Sequence, residues 1–215
     1  MMIKQLSLDH IGGFYHYRVH MPKLESCCND FSGLKLHLDK MFRECPDDYF
    51  NVGPRSSRLK FSLPLEIKKI NGHEVSSLAG EGLKLNKDRY KTGHSRIQVF
   101  FLERDDKTIA VEVPVWMCSW ELKNYKELFQ SELPLTGHID LVRVEGGKIW
   151  VWDYKPRAAE EEFAGTQVYF YALMLSRRTG IPLKEIKCGY FDEEYAFVFN
   201  PEKGFGRKEA KLADC

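Results

Sequence analysis

Gly137-His138-Ile139-Asp140-Leu141-Val142-Arg143-Val144-Glu145-Gly146-Gly147-Lys148-Ile149-Trp150-Val151-Trp152-Asp153-Tyr154-Lys155 reads as two apolar strands around a turn. Both central positions of a two-residue hairpin turn need positive φ, so Gly146-Gly147 predicts such a turn. That turn fixes the register. Glu145 faces Lys148, Val144 faces Ile149, Val142 faces Val151, and Asp140 faces Asp153. Period-two alternation then puts His138, Asp140, Val142 and Val144 on one face, with Ile149, Val151, Asp153 and Lys155 beside them. The face is apolar near the turn and polar at the other end. Opposed carboxylates there repel, share a proton or bind a cation. A hard cation such as Mg²⁺ takes carboxylate oxygens and keeps water ligands. Asp153 and Lys155 also fit an ordinary surface ion pair.

Outward from the hairpin, Thr108 to Met117 reads as a preceding strand and Glu112 lies within it. A helix is expected from Asn86, as N-cap, to about Arg104, with Tyr90, His94, Ile97 and Phe101 as its stripe. A second helix is expected from about Ala159 to Arg178, closed by Gly180. Strands at Glu185–Phe191 and Tyr195–Phe199 follow. The order is α-β-β-β-α-β, an α/β (α+β) mixed sheet with helices packed against it. Residues 1–50 read as mostly helical, the clearest stripe being Leu34, Leu38, Met41, Phe42 and Cys45, ended by Pro46. From 51 to 85 the pattern is weak. The expected division is a helical or irregular extension over 1–85, a core over 86–200 and a tail over 201–215.

The chain has 215 residues, 43% hydrophobic and 29% charged, with net charge +1. That composition suits a globular protein, and no apolar run reaches the roughly 18 residues of a membrane span. A signal peptide's apolar core is missing from the N-terminus, so a cytoplasmic location with no membrane partner is expected. The near-neutral balance argues against a surface that coats nucleic acid but allows a local basic groove. Arg55, Arg58 and Lys60, or Lys84, Lys87, Arg89 and Lys91, are its candidates, or simply solvated faces. Cysteines at 27, 28, 45, 118, 188 and 215 have neither zinc-ribbon nor secreted-disulfide spacing and read as reduced, mostly buried thiols. His10, His16 and His20 lack an acidic or cysteine partner at useful spacing and read as scattered surface histidines.

Gly137-His138-Ile139-Asp140, Asp153-Tyr154-Lys155 and Gln167-Val168-Tyr169-Phe170-Tyr171 together resemble the G-x-x-D, D-x-K and Q-x-x-x-Y series of RecB-like PD-(D/E)XK nucleases, a set found also in CRISPR-associated adaptation nucleases. The resemblance covers roughly residues 86–200. It implies a restriction-endonuclease-like αβββαβ core and a Mg²⁺- or Mn²⁺-dependent deoxyribonuclease acting on DNA, alone, as a homo-oligomer or with a protein partner in a DNA-processing complex. It implies that Asp140 and Asp153 hold the metal, with the Tyr154 carbonyl adding a ligand, and that Lys155 positions the attacking water. Gln167 and Tyr171 are then substrate-orienting groups, though they also fit a helix face with one core tyrosine. In that branch a histidine from the preceding helix reaches the metal. His94 matches it imperfectly, and Gln98 is the alternative; His94 also fits a core residue. Glu112 resembles a glutamate on the family's first strand, or pairs with a basic neighbour. Many relatives hold an iron–sulfur cluster. Cys45, in Phe42-Arg43-Glu44-Cys45-Pro46, resembles the early ligand, but the late trio is missing, so no cluster is expected.

Overall fold

A computed structural model describes residues 2–203 of the chain. In chain order it contains β1 (Ile3–His10), β2 (Gly13–His20), α1 (Met21–Cys27), α2 (Ser32–Glu44), α3 (Asp47–Val52), β3 (Lys68–Asn71), α4 (Glu74–Leu85) and α5 (Gly93–Arg104). Then come β4 (Thr108–Met117), α6 (Tyr125–Phe129), β5 (Leu135–Glu145), β6 (Lys148–Tyr154), α7 (Ala164–Thr179), β7 (Ile186–Phe191) and β8 (Tyr195–Phe199). The strands form one sheet in the order β1-β2-β4-β5-β6-β7-β8-β3. Its neighbours are antiparallel except β6 and β7, which the α7 crossover leaves parallel. The expected αβββαβ order is therefore present as α5-β4-β5-β6-α7-β7, and the mixed sheet with packed helices is the observed fold class. Cys215 and most of the expected tail lie outside the described residues.

Two apolar cores flank the central strands. The larger gathers Leu34, Leu38 and Met41 of α2, Val168 and Phe170 of α7, and Val142, Ile149 and Val151 of the hairpin. The smaller gathers Val75 and Ala79 of α4, Ile97 and Phe101 of α5, and Leu141, Trp152 and Tyr154. No helix among the described residues is long and apolar enough to cross a membrane.

The hairpin register is the one that Gly146-Gly147 requires. Both glycines have positive φ, +58° and +69°, and Glu145 pairs with Lys148, Val144 with Ile149 and Val142 with Val151. Ladder pairing runs on to Leu141 and Trp152. There the Asp140 carboxylate takes the Tyr154 N–H at 2.8 Å.

Three expectations need correction. Residues 3–20 are not helical: they form the β1–β2 hairpin, which joins the main sheet where Arg18 and Val19 pair with Val111 and Ala110. Tyr15, Tyr17 and Val19 alternate inward with period two, but His16 and Arg18 between them mask an apolar strand. Nor does Asn86 start a helix. It ends α4, taking a backbone bond from its N–H to Gly82 O at 3.1 Å, and its amide donates to Arg96 O at 2.8 Å. The N-cap of α5 is Thr92, whose hydroxyl accepts the Ser95 N–H at 3.1 Å. Finally, α7 begins at Ala164 rather than near Ala159. The Asp192 carboxylate holds the Ala158 N–H at 2.9 Å and keeps that segment in a separate short turn.

Arg143 on β5 is fully buried. Its Nε donates to Asp105 at 2.8 Å and its NH2 to Glu74 at 3.1 Å, so the charge that burial would disfavour is paired across α4, α5 and β5.

Candidate active site

Glu112 and Asp140 sit where two strands lose their regular pairing. Glu112 has φ +52°, in the left-handed region that a β-strand does not use. The β4–β5 ladder runs Val111 to Leu141 and Val113 to Ile139, passing over Glu112 and Asp140. Alternation would put His138, Asp140, Val142 and Val144 on one face. Instead Ile139 shares the larger core with Val142 while Leu141 lies in the smaller one, so the period-two pattern breaks at Asp140. Left-handed backbone in a non-glycine residue is uncommon and strained, and it survives where surrounding contacts impose it. Here it aims Glu112 at Gln98.

Helix α5 supplies one half of the site. His94 and Gln98 are four residues apart and so share a helix face. Gln98 Nε2 donates to Glu112 Oε1 at 2.7 Å and to Asp140 Oδ1 at 3.0 Å. His94 Nε2 lies 3.8 Å from Asp140 Oδ2, its ring edge-on to Tyr154 at 5.1 Å. Sequence left His94 and Gln98 as alternatives; in the structure both reach Asp140.

Helix α7 supplies the other half. Gln167 Nε2 donates to Asp153 Oδ1 at 3.2 Å and to Tyr171 Oη at 2.8 Å, while its Oε1 accepts from Lys155 Nζ at 2.9 Å. Lys155 Nζ also lies 2.8 Å from Asp153 Oδ2. That oxygen is buried, and the Lys155 ammonium is its charged partner. Tyr171 also bonds to Ser56, a residue that the weak pattern before 85 gave no reason to single out.

The glycine of Gly137-His138-Ile139-Asp140 has a steric cause. A β-carbon there would lie 2.3 Å from Tyr171 Cε1 and 2.5 Å from Ser56 Oγ. Gly137→Ala is therefore expected to push Tyr171 away from Gln167, lowering stability by about 1–3 kcal/mol as overpacking does and disturbing the α7 half of the site. Thermal melts and tyrosine fluorescence check this; a variant that melts like the wild type overturns it.

The electrostatics are those of a site short of positive charge. Loss of hydration, with Asp140 and Asp153 nearby, pushes the Glu112 carboxyl up to about 8. Burial pushes Asp153 up to about 6 even though Lys155 pulls the other way, and Asp140 adds to the rise. Burial alone would lower Lys155, but Asp153 and Asp140 hold its ammonium above the ordinary lysine value.

The family model of the PD-(D/E)XK nuclease superfamily matches residues 75–212. The chain belongs to the PD-(D/E)XK nuclease superfamily. No curated protein matches it. The superfamily's members are nuclease hydrolases of nucleic acid that depend on a divalent metal. The chemistry of the residues present fits such an ion: carboxylates from β4, β5 and β6 lie within electrostatic reach of one another, and an imidazole stands 3.8 Å from one of them. Of the residues singled out in the sequence, Asp140, Asp153, Lys155, Gln167, Tyr171, His94, Gln98 and Glu112 are brought together in this one cluster. The Tyr154 side chain instead packs in the smaller core, its backbone N–H serving Asp140.

The pH dependence of metal-free nuclease carries a sign. A carboxyl whose folded pKa is raised binds its proton more tightly when folded, so its stabilisation is lost as pH rises through the folded value. Through Asp153 and Glu112, metal-free protein should lose stability as pH rises from about 4 through about 6 and then about 8. Buried His10 and His138, both with lowered pKa, act oppositely below the ordinary histidine value. Glu112→Gln isolates the carboxyl. In EDTA its Tm advantage over wild type should grow from pH 5 to about 8.5 and vanish in saturating Mg²⁺. A difference that stays flat with pH means that Glu112 does not feel this field.

Proposed function

We propose that this chain is a RecB-like deoxyribonuclease that holds Mg²⁺ or Mn²⁺ between Asp140 and Asp153. The single observation that carries the reading is the pair of half-sites: α5 groups hold Asp140, and α7 groups with Lys155 hold Asp153, with Asp140 close enough to raise the Asp153 carboxyl. When bound, the cation would supply Lewis-acid polarisation of the scissile phosphate and acidify a water. His94, 3.8 Å from Asp140, is a candidate further ligand, Glu112, tied to Asp140 through Gln98, would orient ligand waters, and the Tyr154 carbonyl is another candidate. Lys155, fixed by Gln167 and Asp153, aligns the nucleophilic water and offsets the charge that develops on the phosphate. Gln167 and Tyr171 orient the substrate backbone.

Phosphate contacts outside the centre narrow to a few cations. Arg89 is engaged by Glu103 and Arg55 by Ile11 O and Tyr15, whereas Arg58, Lys60, Lys84, Lys87 and Lys91 are exposed. Those five are the DNA-tracking candidates.

Incubating the purified chain with circular and linear DNA, each with Mg²⁺, Mn²⁺ or Ca²⁺, tests the reading. Cleavage with Mg²⁺ or Mn²⁺ but not Ca²⁺ is expected, and nicking of the circle tells internal from end cutting. Binding of DNA without cleavage under every metal would leave a non-catalytic module on this fold. Cleavage of RNA alone would move the substrate class.

A further inference from the structure

His10 at the end of β1, Cys45 just after α2 and Asp47 at the start of α3 converge although 35 residues separate the first two. His10 Nε2, Cys45 Sγ and a carboxylate oxygen of Asp47 all lie within 4.8 Å of one another. His10 Nε2 is 2.9 Å from Asp47 Oδ1, and the Cys45 thiol bonds to the same carboxylate. The rings behind them are fixed. His10 stacks on Phe50 at 4.3 Å, and His138 stacks on Tyr15 at 3.8 Å. His10 Nδ1 meets His138 Nε2 at 2.9 Å, and the buried His138 Nδ1 has no hydrogen-bond partner among the described residues.

The expectation of scattered surface histidines therefore fails for His10, which is 3% exposed, and for His20, which is also buried. The acidic and thiol partners that were missing nearby in sequence arrive from the α2–α3 corner.

We propose that His10 Nε2, Cys45 Sγ and the Asp47 carboxylate form a zinc site separate from the nuclease centre. The donor set decides the ion: one imidazole, one thiolate and one carboxylate suit Zn²⁺, whereas Mg²⁺ avoids sulfur. Three protein ligands leave a fourth, tetrahedral position for water on the exposed side, where the Asp47 side chain is 60% exposed. Burial favours neutral His10, the ligating form. The same burial holds the Cys45 thiol protonated without metal, so zinc binding forms a Zn–S bond and releases that proton to solvent without any redox change. With zinc on Nε2, His10 carries its proton on Nδ1 and donates it to His138 Nε2. His138 thereby orients the ligand from behind. The site pins the end of β1 to the α2–α3 corner and, through His138, to β5 two residues before Asp140.

Cobalt is the probe, because a thiolate bound to Co²⁺ gives a near-ultraviolet charge-transfer band. Co²⁺ titrated into metal-free full-length protein should raise that band to saturation at one equivalent, and Zn²⁺ should abolish it. The band should persist in Asp153→Asn, which separates this site from the nuclease centre, and be lost in Cys45→Ser. In EDTA, Cys45→Ser should melt with the wild type, and zinc should raise Tm only for the wild type. A missing band at one equivalent, or a band that survives Cys45→Ser, overturns the proposal. Should Cys45→Ser fail to fold, Asp47→Asn decides, because an exposed amide leaves the fold intact. Zinc affinity unchanged by Asp47→Asn also overturns it.

Discussion

Lys155→Ala is expected to lower DNA cleavage by roughly 10²–10⁴-fold while divalent-metal binding persists. The reason is a division of labour within one hydrogen-bonded set. Lys155 Nζ touches Asp153 and Gln167 and supplies the positive charge of the α7 half, whereas the carboxylates supply the ligand oxygens. Removing the ammonium takes away the group that aligns water and meets the charge of the transition state. Asp153→Asn should instead weaken metal binding and cleavage together. It should not destabilise metal-free protein near pH 8, because the Asp153 carboxyl is raised even with Lys155 beside it, so its charged form is net disfavoured there. Lys155 keeps Gln167 Oε1 and the field of Asp140. Titration calorimetry with Mn²⁺, run beside single-turnover cleavage and melts in EDTA, reads all three. Equal loss of metal affinity in both variants would mean that Lys155 only holds the ligands in place.

Arg143→Ala should cost about 3–5 kcal/mol of stability, the range for breaking a buried ion pair by deleting one partner. The guanidinium is fully buried and meets Asp105, Glu74 and, at 3.6 Å, Glu145, so its loss leaves the nearly buried Asp105 carboxylate uncompensated. Asp105 accepts from Arg143 and from Thr108 Oγ1, at the point where α5 turns into β4. The drop in Tm should be roughly 2–4 °C per kcal/mol for a domain of this size. Arg143→Ala with Asp105→Asn should recover part of the loss, because the stranded charge is gone. A single variant that melts within a degree or two of wild type would falsify the claim that this network holds α4, α5 and β5 together.

What was legible in the sequence was local or periodic. Gly146-Gly147 fixed a turn, and the turn fixed the register of β5 and β6 as far as Leu141 and Trp152. The four-residue spacings of His94 with Gln98 and of Gln167 with Tyr171 put each pair on one helix face. Periodicity could not choose between His94 and Gln98, because both members of such a pair point the same way. The break at Asp140 was illegible, since the left-handed turn of the β4 backbone falls on Glu112 rather than on a glycine. Ser56 and the His10–Cys45–Asp47 cluster depend on contacts between segments far apart in sequence, which no window of residues encodes. Asn86 misled because the same residue types cap a helix at either end.

The sheet order has a consequence for how the chain is made. Strands β1, β2 and β3 precede the central strands in sequence but lie at the two margins of the sheet, with β1–β2 against β4 and β3 against β8. Arg18 waits 93 residues for Val111, and Lys68 waits 130 for Val198, differences taken from their pairings. At synthesis rates of about 5–20 residues per second, those waits last roughly 5–19 s and 7–26 s. For that interval β3 and the free edge of the β1–β2 hairpin lack their sheet neighbours, and unpaired edges of this kind invite mispairing. The β1–β2 hairpin can dock as soon as β4 is made, whereas β3 waits for β8, the last strand of the sheet in sequence.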